Sequence, residues 1–417
     1  MKVNVRAVLS DLHLDAAQTT NQRQLSVSVA AVAGELDRDL PLNLCLILDR
    51  SGSMKGQAMK MVKEAAHRIV DGMSYGDRLS IVAFDHRGTV LVPNQFLEDP
   101  ESIKAQIDRL QASGGTAIDE GMKLALEELA KGKQDTVSRA FLLTDGENEH
   151  GDNDRCLKLA KLATEHHLTL DSLGFGDAWN QDVLEAIADA GGGTLCHIEK
   201  PDDAVEEFSR LLGRMQSVGL TNAYLTFSLM PKVRLAELKP IAQVAPETIE
   251  LPLTEEDGKI AVRLGDLMVD IPRTILMNLY VSQLPCGHYP LLNLRVCYDD
   301  PTSGNNRVLS DPILVAADAI ADFQASPDAE VQQHVLALAK YRQTQLAEAK
   351  LQQGDRSGAA TMLQTAAKTA LQMGDQQAAT VLQQGATMLQ AGTQLSEGDR
   401  KKTRIVSKTV LQKPSDS

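Results

Sequence analysis

At 417 residues the chain is longer than one hydrophobic core usually organises, so two or three domains are expected. A formal charge of -14, from 42 Lys and Arg against 56 Asp and Glu, offers no basic footprint for phosphate backbones, and 3% aromatic residues leave few rings to stack on bases, so no nucleic-acid partner is expected. The start Met1-Lys2-Val3-Asn4-Val5-Arg6 alternates polar and apolar residues where a signal peptide would be continuously apolar, no window approaches a membrane span, and the five cysteines are scattered without C-x-x-C spacing; a reducing cytoplasm is the expected location.

Along the chain, Val3, Val5, Ala7 and Leu9, then Leu25, Val27 and Val29, alternate with period two and read as strands too few to form a sheet alone. From Leu42 to about Met215 the pattern switches between short apolar runs and helical spacing, the signature of a mostly parallel sheet wrapped by helices. The strands expected are Leu42 to Leu48, Leu79 to Phe84, Arg139 to Leu143, Leu168 to Leu173 and Thr194 to Ile198. Between them run one-sided apolar stripes: Ala58, Val62, Ala65, Ile69 and Met73; Ile118, Met122, Ala125 and Leu129; Ala204, Phe208, Leu211 and Met215. Cys45 in the first strand and Cys156 on a helix face read as buried, inert thiols.

In an open parallel sheet, sites form beyond the carboxyl ends of the strands. Asp49-Arg50-Ser51-Gly52-Ser53 leaves the first strand there with a carboxylate and two hydroxyls at alternate positions. Alone, this reads as a cation site or as a helix cap and turn. Two more segments reach the same edge: Ser113-Gly114-Gly115-Thr116 before a helix, and the apolar run ending in Thr144-Asp145-Gly146. The pattern D-x-S-x-S, then a threonine, then an aspartate, resembles the metal-ion-dependent adhesion site of the von Willebrand factor A (VWA) domain family, bacterial type, over roughly Leu42 to Met215. The resemblance implies a Rossmann-like doubly wound fold. It also implies that Asp49, Ser51, Ser53, Thr116 and Asp145 hold Mg2+, with Mn2+ or Ca2+ as alternatives, and that the cation captures an exposed Asp or Glu of a protein partner. In relatives the last helix moves with ligand, which here would be the helix around Ala204 to Met215.

The acidic stretch Glu147 to Asp154 reads either as a second cation site or as a solvated loop leading to a helix cap at Asn153 or Asp154. His166-His167 lacks a third zinc ligand, and neither a nucleophile elbow nor H-E-x-x-H occurs, so the chain is not expected to be an enzyme. Two alternatives stand beside a metal-dependent protein-interaction module: an accessory subunit of an AAA+ ATPase complex, as in some bacterial-type relatives, and a metal-dependent hydrolase.

Beyond Gln216 the period returns to two at Ala223 to Leu229, Ile260 to Leu264, Ile275 to Val281 and Leu292 to Tyr298. These strands are expected to pair with the N-terminal ones in a β-sandwich into which the VWA domain is inserted. Three helical stretches follow Ser326-Pro327-Asp328, with stripes Ala359, Leu363, Ala366, Ala370 and Ala378, Leu382, Ala386, Leu389, punctuated by Gly354-Asp355 and Gly374-Asp375. The expected division is 1–40 and 217–320 for the sandwich, 41–216 for the VWA domain, 327–395 for a helical bundle and 396–417 for a basic tail.

Overall fold

The computed structural model describes residues 2–33, 40–133, 136–176, 179–198, 201–256 and 258–409. Two compact units account for them, one built from 33–222 with 299–306, the other from 2–32, 223–298 and 307–417.

The first unit holds a six-stranded sheet in the order Gly88–Phe96, Arg78–Phe84, Leu42–Asp49, Val137–Thr144, Thr169–Phe175, Gly192–Ile198. Its pairs are parallel except for the antiparallel hairpin that ends in Gly88–Phe96. That hairpin strand was not expected: as a sheet edge it buries Val92 alone of its nine residues, and its apolar run is only Val90 to Val92, cut off by Pro93. The central strands Leu42–Asp49 and Val137–Thr144 are buried at every position, so Leu44 to Leu48 and Ala140 to Leu143 are wholly apolar, while Asn43, Ser138 and Arg139 are polar residues buried beside them. One sheet face packs Cys45, Ile47, Val82 and Phe84 against Ile118, Met122, Ala125 and Leu129 of the helix Ile118–Lys131, with the helices Asn153–Glu165 and Gln181–Ala190 beside it. Burial pushes the Cys45 and Cys156 thiols up to about 12, as befits inert core sulfurs. The helix Gln57–Gly72 packs against the helix Pro201–Gln216, where Gly72 leaves room for Leu212. Leu211 and Met215 of that last helix are buried, while the side chains of Ala204 and Phe208 lie outside the described residues.

In the second unit, Thr20–Val32 lies between Lys2–Leu9 and Arg273–Ser282, so the N-terminal strands are joined to a strand from the far side of the inserted domain. Ile241–Ala245 extends this sheet, and a second sheet includes Lys259–Met268, Val218–Leu229, Gly287–Asp300 and Ile313–Ile320. Leu25, Val27, Val29, Ile275, Met277 and Leu279 of the first sheet, and Leu225, Phe227, Val262, Leu294 and Val296 of the second, are buried as alternation requires. Leu276, from the opposite face of the first sheet, packs on Val331, Leu338 and Tyr341 of the helix Ala329–Gln352.

Three more helices follow, Arg356–Gln372, Gln376–Gln390 and Glu397–Lys408. Both expected stripes form their core, from Ala359 to Leu389. Gly354 and Gly374 each take φ of 81°, a left-handed turn that ends one helix, and Asp355 and Asp375 then cap the next by accepting the Gly358 and Ala378 amides. The segment expected as a basic tail carries the fourth helix as far as Lys408, opened by a capping box between Ser396 and Asp399. Its buried residues are Lys401, Thr403 and Ser407, so it has no apolar stripe to read. Residues 410–417 lie outside the described part. Among the described residues no helix is long and apolar enough to cross a membrane.

Candidate functional site

Three loops meet at the carboxyl edge of the first unit's sheet. The first leaves the central strand at Asp49, whose side chain is fully buried and whose Oδ1 accepts the Ser51 amide at 2.7 Å. Ser51, also buried, shares a hydrogen bond of 2.9 Å with Ser53, and the exposed Ser53 hydroxyl donates to Asp145 Oδ1 at 2.8 Å. The second loop brings buried Thr116. A Cβ built on Gly146 would stand 3.4 Å from Ser53 Oγ and 3.6 Å from Thr116 Oγ1, so these two hydroxyls converge over that glycine. All five expected residues therefore come together: Asp49, Ser51 and Thr116 are buried, Ser53 is exposed and Asp145 is half-buried.

Backbone bonds fasten the loops to one another. Gly52 N–H donates to Gly114 O at 2.9 Å, Ser113 N–H to Arg50 O at 2.7 Å, and Ala117 N–H to Asp85 O at 2.8 Å. Arg50 turns away from the cluster to pair with Asp85 at 3.0 Å. Thr144, the residue before Asp145, donates its hydroxyl to Asp49 Oδ2 at 2.5 Å and accepts the Gly146 amide at 3.2 Å. Sequence reasoning passed over Thr144, although its place at the end of a fully buried strand marks a hydroxyl that needs an internal partner.

Among the described residues, no cationic side chain pairs with either carboxylate of the cluster. Burial pushes Asp49 up to about 6, against the lowering pull of the Thr144 and Ser51 hydrogen bonds, and burial also raises Asp145. The hydrogen-bond partners of both carboxylates are hydroxyls and backbone amides. Among the described residues, no three His, Cys, Asp or Glu side chains gather in a metal-holding group, so a cation here relies on the Ser and Thr oxygens as well as the carboxylates.

The acidic third loop has structural duties. Asn148 Oδ1 accepts the Ile118 amide at 2.8 Å, tying this loop to the helix that follows Thr116. The helix cap is Asp152, one residue before the expected Asn153 and two before Asp154. Asp119 pairs with Arg155 at 2.7 Å.

Comparison with known proteins adds lineage to this geometry. The von Willebrand factor type A domain model matches residues 43–210, and the Sll0103-like, C-terminal alpha-helical domain model matches 329–413. The chain is 56% identical over 415 residues to "Uncharacterized protein sll0103" of Synechocystis, covering all of this chain and 99% of that one. Inter-alpha-trypsin inhibitor heavy chain H4 of Bos taurus is 30% identical over 177 residues, which is 40% of this chain but 19% of that protein. In fold, a von Willebrand factor type A protein from Catenulispora acidiphila superposes with a TM-score of 0.83 at 18% identity, covering 98% of this chain and 97% of its own. Accessory service to an AAA+ ATPase gains no support from these relatives. Matched along its whole length by one relative and over its sheet-and-helix core by the family model, the chain belongs to the von Willebrand factor type A domain family, in a form that also carries a Sll0103-like helical domain.

Proposed function

We propose that the protein is a metal-dependent protein-interaction module in which Asp49, Ser51, Ser53, Thr116 and Asp145 hold a Mg2+-type cation that takes a partner's carboxylate as a further ligand. One observation carries the reading: two carboxylates and three hydroxyls converge from three loops, with neither carboxylate paired to a cationic side chain among the described residues. A buried Asp49 and a half-buried Asp145, both held above their ordinary pKa, are a cost that a divalent cation relieves. Hard oxygens suit Mg2+, and Mn2+ or Ca2+ are the alternatives for the same donors.

When bound, the cation would supply a positive centre with coordination positions left for an outside oxygen. The chain's own residues do the rest. Thr144 and the Ser51 amide orient Asp49, Ser53 steadies Asp145, and the exposed Ser53 beside the half-buried Asp145 leaves the outer side open to an Asp or Glu. The proposed role is recognition, exercised in the cytoplasm, and no step of bond cleavage belongs to it.

Calorimetric titration of Mg2+ and Mn2+ into EDTA-stripped protein should show one site, lost in Asp145→Ala and in Ser51→Ala/Ser53→Ala. Partners retained on the immobilised chain in Mg2+ should elute with EDTA. Equal retention in EDTA, or by the double serine variant, would overturn metal-mediated docking.

A further inference from the structure

Two imidazoles stand over the loop that carries Thr116. His86, in the turn between Arg78–Phe84 and Gly88–Phe96, and His150, in the third loop, stack with ring centroids 4.7 Å apart and planes 16° from parallel. Both residues are exposed, so neither is held by a surrounding core, and ordering them costs side-chain entropy that local contacts must offset. Each also grips the second loop. His86 Nδ1 accepts the Gly115 amide, and the His150 amide donates to Thr116 O at 2.9 Å. The glycines permit this approach: a Cβ on Gly114 would press on the His86 ring, and one on Gly115 would collide with the His150 ring at its Nδ1.

The other fasteners of the second loop come from Arg50, Gly52 and Asp85. From the third loop, which supplies Asp145, the ties are the His150 amide and, one residue past Ala117, the bond from the Ile118 amide to Asn148. The stacked rings therefore join the hairpin turn to the third loop, with the Gly114–Thr116 backbone held beneath them.

We propose that the His86–His150 stack is a positioning device that holds Thr116 in register with Asp145 before a cation arrives, so that this pair of side chains sets the cation affinity of the site. The proposal rests on the metal reading above, and neither histidine is assigned as a ligand. Outer residues that orient metal ligands typically change affinity about 10- to 100-fold when removed.

The test uses the full chain and two readouts: Mn2+ titration followed by electron paramagnetic resonance, and hydrogen exchange of the Gly115 and Thr116 amides in EDTA. His86→Ala and His150→Ala should each weaken Mn2+ binding about 10-fold or more and speed exchange at Gly115, with the thermal midpoint unchanged. Gly115→Ala should expel the His150 ring and weaken binding likewise, yet add no further loss in the His150→Ala background. Wild-type Mn2+ affinity and wild-type exchange in both histidine variants would overturn the device. A wild-type chain that takes up no Mn2+ would sink the metal reading, and the exchange measurement would still judge whether the rings hold the loop.

Discussion

His334 shows how burial sets the behaviour of a single titratable group. Its Nδ1 lies 2.9 Å from Ser26 Oγ, and burial lowers its pKa from 6.5, overriding the upward pull of Glu330 and Asp328 and reinforced by Arg6. The folded state thus resists a proton that the unfolded chain accepts, so stability should fall as pH drops below about 6.5 and continue falling until the folded-state pKa is passed. Urea midpoints between pH 7.5 and 5 should decline in the wild type and decline less in His334→Gln; equal slopes would refute this assignment. At the three-loop cluster, burial has the opposite sign, lifting Asp49 to about 6 because the charged form of an acid is what desolvation penalises. The five oxygen residues were legible because short-range spacing and strand context announce them. Thr144, His86 and His150 were not, because their roles depend on a carboxylate beneath a strand end and on a meeting of loops distant in sequence.

Among the elements, the helical domain departs most from a pattern reading. Ala329–Gln352 packs on the sheet with Val331 and Leu338 and on the bundle with Ala347, so its apolar residues spread around the helix and give no single stripe. Lys340 lies fully buried within it, donating to Asp375 Oδ2 at 3.1 Å and to Thr409 O at 2.9 Å, and burial lowers its pKa despite that partner. Removing one charge from such a pair typically costs about 3–5 kcal/mol, while replacing both is far milder. Asp375→Asn keeps a capping side chain for the Ala378 amide yet strands the lysine, and should be destabilised on this scale in urea melts. Lys340→Met/Asp375→Asn should recover most of the loss; additivity of the two changes would show that the pair is not coupled. The fourth helix was missed for a related reason, since it buries Lys401, Thr403 and Ser407 rather than leucines, and only Ser396-x-x-Asp399 marks its start.

For the whole molecule, the nested order was readable because alternation of period two stops before Leu42 and resumes after Gln216. What periodicity could not supply was partner choice: Thr20–Val32 pairs along ten positions with Arg273–Ser282, from Arg273 opposite Val29 to Ser282 opposite Thr20. A chain starting at Leu40 lacks this strand and leaves Arg273–Ser282 with an open edge. It should aggregate or elute early in size-exclusion chromatography, while keeping the five site residues and, where soluble, their Mn2+ titration; a monomeric, cooperatively unfolding truncation would contradict this pairing as a stabilising element.

That same pairing sets a timetable on the ribosome. The strand Thr20–Val32 emerges about 240 residues before Arg273–Ser282, and at about 5–20 residues per second its second neighbour arrives roughly 12–50 seconds later. Until then one flank of Thr20–Val32 has only water or a chaperone to satisfy its amides, while the residues of the inserted domain have already left the exit tunnel and can fold. The von Willebrand factor type A domain can thus be complete, and its loops assembled, before the sandwich that surrounds it in sequence has closed.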